Sequence, residues 1–305
     1  LNISRETFQH DPRLAKMRSG LTKRVLDALE KKAEKAPEEF ETFWDNFGAV
    51  LKEGVYEDFE NRDRILKLCR FRSTAGDGLT TLQAYVDRMK DGQDAIYTIS
   101  GEQLDGLRRS PQLEGFKAKG VEVLLLTDPI DEFWTQAVGT FQEKPFKSAA
   151  SAGADLSKIA AADSAEEDKK EDETPAGLDT LITALKAVLG DSVKDVRASE
   201  RLTDSAVCLV AAEGDMDIYL EKLLKQSQRL GADTMTSRIL ELNPGHPLIR
   251  RLTTLAEGEG AEARLGDAAH LLLDQARIIE GEKPADAVAF AQRMASVMEK
   301  GLGAS

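Results

Sequence analysis

The sequence predicts two domains, an α/β domain followed by an α+β domain. A strand, a helix and a second strand over residues 95–126 indicate the first class, because parallel neighbours need a crossover between them. Strands followed by long helices over residues 177–305 indicate the second class. The length of 305 residues fits two domains, because a domain typically has roughly 150 residues.

Helices are predicted at the start of the chain, over residues 12–52. Large apolar residues recur there at steps of three and four, which is the spacing of one helical face. They are Leu14, Met17, Leu21, Val25 and Leu29. Pro37 predicts a break and a second helix, since proline starts a helix more readily than it continues one. Two short helices are predicted to follow, over residues 62–70 and 81–90.

A parallel pair of strands comes next. Residues 95–100 and 121–126 are short runs rich in apolar residues, typical of buried strands. The segment 101–110 predicts a helix between them, with Ser100 as its N-cap and Gln103 completing a capping box. Such a βαβ unit has parallel strands and a right-handed connection.

The composition changes over residues 148–176, where no aromatic residue occurs and Ala, Ser, Asp, Glu and Lys dominate. Such a segment buries too little apolar surface to offset the entropy lost on ordering it. We therefore predict a solvated linker, or a helix on the surface, between a domain at 1–147 and a domain at 177–305.

The second domain is predicted to contain three strands, over residues 193–197, 206–211 and 238–242. Its first helix covers residues 178–189 and ends at Gly190, a common C-terminal cap. An amphipathic helix is predicted over residues 214–230. Two long helices, over about 261–280 and 284–300, should close the chain as a helical hairpin.

Charge and cysteine content exclude several classes of protein. Proteins that bind nucleic acids neutralise the phosphates with basic residues, whereas this chain has a net charge of −13. No nucleic-acid partner is therefore expected. The longest apolar runs, such as 121–126, are too short to cross a bilayer, so no membrane partner is expected. Cys69 and Cys208 lie far apart in the sequence, which predicts two packed thiols in a reducing compartment, the cytoplasm.

Motifs for catalysis or metal binding are missing from the sequence. The three histidines, His10, His246 and His270, lack the spacing of paired metal ligands, so no metal site is expected. There is also no phosphate-binding P-loop and no nucleophile elbow. We therefore do not expect this chain to be an enzyme by itself.

A series of short motifs resembles those of the ninety-kilodalton heat-shock chaperone family in its bacterial form. In the first half these are LNISRE at 1–6, KEG at 52–54, RF with ST at 70–74, MKDGQ with IY at 89–97, SP at 110–111, KGVEVL at 119–124 and DPIDE at 128–132. In the second half they are ELNP with HPL at 241–248 and LLDQA at 272–276. Each motif is short, but their order is shared over nearly the whole chain.

The resemblance implies the architecture of one part of that family's chain. It indicates the αβα subdomain that ends the middle domain, followed by an α+β dimerisation domain. Because the sequence begins at Leu1 and not at methionine, we expect an internal fragment without the N-terminal ATPase domain. ATP with magnesium is then the expected cofactor of the full-length protein, and none is expected in this fragment.

The resemblance also assigns a role to Arg5. In the family, the arginine of the Ser-Arg-Glu motif reaches the terminal phosphate of ATP, where a guanidinium stabilises the charge of phosphoryl transfer. Gln9 lies one helical turn further on and is expected to assist. The residues alone leave an alternative open, in which Ser4 caps a helix and Arg5 is exposed at its start.

Client-binding surfaces are implied in both halves. In the family, the helix that corresponds to residues 214–230 projects into the dimer cleft and contacts client proteins. Its apolar stripe consists of Met216, Leu220, Leu223 and Leu224. Phe133 and Trp134 lie where the family has another client-contacting aromatic residue. The alternative is that the stripe faces the core of its own domain.

The last two helices are expected to form the dimer interface, because two such hairpins make a four-helix bundle. The apolar face of the first consists of Leu265, Ala269, Leu272, Leu273 and Ala276, and that of the second of Val288, Ala291, Met294, Ala295 and Met298. The alternative is packing on their own domain.

These expectations give a leading function and one alternative. The leading function is a heat-shock chaperone fragment that dimerises, binds unfolded or client proteins and supports ATP hydrolysis in the full-length protein. The alternative is an ATP-independent dimeric scaffold that binds one specific partner.

Overall fold

From residue 12 onward, three helices precede the first sheet. The computed structural model describes residues 12–160, 175–227, 238–258 and 261–302. The helices are α1 (Pro12–Lys35), α2 (Pro37–Glu57) and α3 (Arg62–Leu68). Pro37 occupies the first turn of α2, as its missing N–H allows. Helix α1 buries Leu26, whereas Met17, Leu21 and Val25 are each more than half exposed.

A six-stranded mixed sheet forms the centre of the first half. Its strands are β1 (Phe71–Ser73), β2 (Gly76–Thr80), β3 (Ile96–Ser100), β4 (Leu124–Leu126), β5 (Thr140–Phe141) and β6 (Lys144–Ser148). Their order across the sheet is β2-β1-β4-β3-β6-β5. Strand β3 is parallel to β4 and to β6, and the remaining pairs are antiparallel. The predicted parallel pairing of β3 with β4 is therefore confirmed, while the hairpins β1–β2 and β5–β6 were not predicted.

The helices of this half lie around the sheet. They are α4 (Leu82–Asp87), α5 (Leu104–Arg108), α6 (Glu114–Ala118) and α7 (Asp131–Val138). Gln103, and not Ser100, occupies the N-cap of α5, so the predicted capping box does not form. The crossover from β3 to β4 contains α5, a 3₁₀ turn at Pro111–Leu113 and α6.

The second half contains a three-stranded sheet of β7 (Asp195–Ala198), β8 (Val207–Val210) and β9 (Ile239–Leu242), in the order β7-β9-β8. Its helices are α8 (Leu178–Leu189), α9 (Ile218–Gln226), α10 (Pro247–Ala256), α11 (Ala261–Ile279) and α12 (Ala287–Leu302). Helices α8, α10 and α11 pack together and, with the sheet, enclose the hydrophobic core of this half.

The start of the predicted linker is packed, so residues 148–154 differ from the expectation of a solvated segment. Ala149 is fully buried, and its N–H donates to the carbonyl of Thr98 in β3. The Ala152 N–H donates to the carbonyl of Ala211, just after β8. Main-chain hydrogen bonds thus stabilise a segment that has little apolar surface. Residues 161–174 lie outside the described ranges, and the domain boundaries remain predictions.

Polar side chains join the two halves. The Glu114 carboxylate in α6 accepts hydrogen bonds from the N–H groups of residues 203–205, at 2.7, 2.9 and 3.1 Å. The Arg201 guanidinium donates to the carbonyls of Ala149 and Ser151, at 2.6 and 3.0 Å. Because Arg201 is buried, these bonds satisfy a cation that would otherwise be costly to desolvate.

Candidate functional site

Helix α7 is anchored by a buried ion-pair network. The Lys52 ammonium of α2 lies 2.8 Å from the Asp128 carboxylate and 2.9 Å from the Asp131 carboxylate at the start of α7. Asp131 also accepts a hydrogen bond of 2.6 Å from the Trp134 indole N–H. Burial lowers the pKa of Lys52, but the two carboxylates outweigh that effect and hold the pKa above its ordinary value. The orientation of α7 is therefore fixed by charge-assisted hydrogen bonds.

The two predicted client-contacting aromatics of α7 have opposite environments. Trp134 is fully buried, with ring centroids 5.6 Å from Phe71 and 5.3 Å from Phe146. Trp134 is therefore a core residue in this structure, and its role as a client contact stays a prediction. Phe133 is half-buried, and its ring lies 6.3 Å from that of Tyr56.

Helix α9, the other predicted client element, begins at a side-chain cap. The Asp217 carboxylate accepts a hydrogen bond from the Tyr219 N–H at 2.9 Å, and another from the Ser148 hydroxyl at 2.6 Å. The helix is thereby tied to the end of β6 in the first half. It begins later than predicted, so Met216 precedes it, and it ends at Gln226, before the part of 214–230 that lies outside the described residues.

The apolar stripe of α9 is only partly open. Leu220 is 8% exposed, which favours the alternative that this residue belongs to a core, and its role as a client contact stays a prediction. Met216, Leu223 and Leu224 are half-buried. These three side chains, and not Leu220, are the ones that a client could reach.

The structure brings the starts of α7 and α9 together. Glu132 is 6% exposed, and burial, followed by the charge of Asp217, raises its pKa to about 8. Burial also raises the pKa of Tyr219, with contributions from the charges of Glu102 and Glu132. The two predicted client elements, one from each half, are thus near neighbours. A cavity of about 300 Å³ between the halves is lined by Asp217, Tyr219 and Glu280.

The two closing helices differ sharply in burial. On α11 the predicted interface residues Leu265, Ala269, Leu272, Leu273 and Ala276 are all 3% exposed or less. They pack in the core of their own half, beside α8, because the sheet leaves an apolar face that α11 covers. These five residues therefore pack within their own half, as the alternative predicted for this helix, and their role as dimer contacts stays a prediction.

Helix α12, in contrast to α11, is exposed along its length. It has no buried residue, and Val288, Met294 and Met298 are 68, 40 and 57% exposed. Ala291 and Ala295 on the same helix are also exposed. An ion pair of 3.5 Å between its Arg293 and Asp267 links α12 to α11. Of the two predicted interface helices, α12 is therefore the one whose apolar face is exposed in this structure.

The predicted catalytic residues cannot be placed in this geometry, since Arg5 and Gln9 lie outside the described residues. Both cysteines, Cys69 and Cys208, are buried and unpaired, as predicted. In the ranges that the structure describes, no set of His, Cys, Asp and Glu side chains is grouped to hold a metal ion. Nor does any helix in those ranges have the length and apolar character needed to span a membrane.

The family model described as Hsp90 protein matches residues 1–305 of the chain. The chain belongs to the Hsp90 family. Three of its Hsp90-family relatives, each named chaperone protein HtpG, come from Paramagnetospirillum magneticum, Roseobacter denitrificans and Rhodospirillum rubrum. They are 64, 53 and 52% identical, over 99% of this chain in each case. The chain spans about half the length of these relatives, 48% of each.

Sequence reasoning missed several exposed apolar residues of this Hsp90-family chain. Tyr56 is 44% exposed beside Phe133, and Val297 and Leu302 of α12 are 46 and 78% exposed. The helical period of α12 does place Leu302 four residues after Met298, so that signal was available. Nothing in the sequence places Tyr56 beside Phe133, because the two residues are 77 positions apart.

Proposed function

We propose that this chain is the dimerising and client-binding part of a bacterial Hsp90-family chaperone of the cytoplasm. In the whole protein, ATP with magnesium would be held by the remaining half of the family's length. Arg5 and Gln9 would act there on the terminal phosphate, and this chain alone would not turn over ATP.

The exposed apolar face of α12 carries the dimerisation part of the proposal. Val288, Met294, Met298 and Leu302 recur along one side of the helix, and each is at least 40% exposed. An apolar stripe of this length in water is unfavourable and typical of an interaction surface. The same stripe on a second copy is self-complementary about a two-fold axis, which is the geometry of an isologous homodimer.

Client binding is supported by the juxtaposition of α7 and α9. Phe133, Met216, Leu223 and Leu224 are partly open on neighbouring elements. Flexible methionine and leucine side chains adapt to differently shaped apolar partners, which is what promiscuous binding needs. Unfolded proteins expose such apolar segments.

Sedimentation of an α12 variant tests the dimer. Met294→Glu with Met298→Glu should convert a dimer to a monomer, because each carboxylate would be desolvated in the interface. Gln292→Glu, which adds charge to the same helix at an exposed polar position, should leave the dimer intact. A parent chain that sediments as a monomer at all concentrations would contradict the proposal.

Light scattering of unfolded proteins tests client binding. The chain should suppress the aggregation of several unrelated unfolded proteins, and Leu223→Ser with Leu224→Ser should weaken that suppression without changing the sedimentation coefficient. If the chain binds one specific partner and leaves other unfolded proteins to aggregate, the ATP-independent scaffold is the correct function.

The ATP-related part is tested in the full-length protein. Arg5→Ala should lower the hydrolysis rate by about 10³-fold or more, as loss of such an arginine does in other phosphoryl-transfer sites. Nucleotide affinity should be unchanged, because the arginine acts on transition-state charge. Equal turnover in the variant and the parent would rule out this role for Arg5.

A further inference from the structure

Beside Phe133 lie two exposed aromatic residues that the proposal above does not use. Tyr56, at the end of α2, is 44% exposed and its ring lies 6.3 Å from that of Phe133. Phe59, in the loop that follows, is 75% exposed, and the Arg62 guanidinium lies 4.2 Å from its ring centroid. Tyr56, Phe59 and Phe133 are called the aromatic patch below.

Arg62 links the ends of the two helices beside the patch. Its Nε donates to the Val55 carbonyl at 2.8 Å, and its two Nη atoms donate to the carbonyls of Tyr56 and Ala137, each at 3.3 Å. These carbonyls belong to the last turns of α2 and α7, where a cation is favourable. The guanidinium is therefore engaged within the fold, and it contacts the Phe59 ring from there.

The charge around the patch is negative. Glu53, Glu57 and Glu60 are exposed, and none of the three forms an ion pair with another described residue. An adjoining open cleft of about 890 Å³ has three carboxylates among its described lining residues, those of Glu57, Asp58 and Glu60, and one cation, Arg18. A cation brought by a partner would thus find several carboxylates that lack a counter-charge.

We propose that the aromatic patch binds segments of unfolded proteins in which lysine or arginine alternates with large apolar residues. This inference rests on the proposed client-binding function and adds a rule for which segments are preferred. Aromatic faces bind both apolar side chains and cations. The surrounding carboxylates attract the cations and repel an acidic segment, and the net charge of −13 acts in the same direction at longer range.

A pair of matched peptides tests the rule on the full chain. Both have the same length and the same apolar residues, and the alternate positions are lysine in one and glutamate in the other. Fluorescence anisotropy should give about tenfold tighter binding of the lysine peptide at about 50 mM salt. The difference should shrink at about 500 mM salt, because exposed charges are then screened.

Charge variants test whether the carboxylates beside the patch cause the preference for the lysine peptide. Glu57→Gln with Glu60→Gln should weaken binding of the lysine peptide by about three- to tenfold and leave the glutamate peptide unchanged or slightly tighter. Glu38→Gln with Glu41→Gln removes the same charge from the start of α2, at least about 24 Å from Glu57 along the helix, and should change neither affinity.

Ring variants identify the patch itself. Tyr56→Ser with Phe59→Ser should weaken binding of both peptides by about tenfold, since exposed aromatic anchors carry much of such binding energy. Both side chains are well exposed, so the variant should unfold at about the same temperature as the parent, which a thermal melt verifies.

Three outcomes separate the inference from the function on which it rests. Equal affinity of the two peptides, together with suppressed aggregation of unfolded proteins, would refute the charge rule alone. Equal effects of the two pairs of glutamate variants would refute the location at the patch. Binding of neither peptide, together with no suppression of aggregation, would refute the client-binding function itself.

Discussion

Replacing Lys52 with methionine should lower the free energy of unfolding of the first half by about 3–5 kcal/mol. The Lys52 side chain is 6% exposed and that of Asp131 is 1% exposed, so neither charge is solvated in the folded chain. Methionine fills much of the same volume but leaves the Asp131 carboxylate buried without its cation. The remaining donors to that carboxylate are the Trp134 indole and the Asp128 N–H, at 2.6 and 3.1 Å.

The magnitude follows from the loss of one partner of a buried pair. An uncompensated buried charge costs about 3–5 kcal/mol, whereas an exposed pair contributes about 1 kcal/mol or less. The Lys52 ammonium also lies 5.3 Å from the Phe71 ring and 6.0 Å from the Trp44 ring, and methionine loses these cation–π contacts. A second replacement, Asp131→Asn, removes the uncompensated charge, so the double variant should be more stable than Lys52→Met alone.

Urea unfolding followed by tryptophan fluorescence measures this change. The chain has two tryptophans, Trp44 and Trp134, and both lie in the hydrophobic cluster that surrounds Lys52. Lys67→Met is the matched control, because Lys67 is exposed and its replacement should change stability by no more than about 0.5 kcal/mol. A loss below about 1 kcal/mol for Lys52→Met would refute the argument, since that is the size of a surface pair.

Two further predictions concern the joint between the halves and the pH dependence of stability. A Cβ atom at Gly115 would lie 2.9 Å from the Arg201 backbone, so Gly115→Ala should cost about 1–3 kcal/mol in thermal unfolding, while Gly106→Ala, which meets no atom within 4 Å, should not. Glu132 has a folded pKa raised to about 8 from the ordinary 4.5, so the native state retains a proton that the unfolded chain has lost. Its contribution to stability is present below pH 4.5 and is lost as the pH rises to about 8, by up to about 1.4 kcal/mol per pH unit. In urea unfolding across that pH range, the free energy of unfolding should fall less steeply with pH for Glu132→Gln than for the parent. An unchanged slope would contradict the raised pKa of Glu132.

The local pattern of apolar and polar residues was enough to predict much of the secondary structure. Strand β4 was predictable because its three leucines are buried on both faces of the sheet, which requires a continuous apolar run. The hairpin of β1 and β2 was not, since β2 contains Gly76 and Gly78 and is largely exposed, so no alternation marks it. The packing of residues 148–154 was not predicted for a similar reason, because backbone hydrogen bonds leave no compositional signal.

The sequence by itself determined the mixture of helices and strands, the parallel strands and, through ordered motifs, the family of the chain. It also placed amphipathic stripes on α9, α11 and α12 and two adjacent aromatics on α7. Only the tertiary structure decided what covers each stripe: α11 is buried in its own half, α12 is open, and Trp134 faces inward while Phe133 faces Tyr56. The physical reason is that apolar periodicity is a property of one segment, whereas burial depends on which distant segments fold against it.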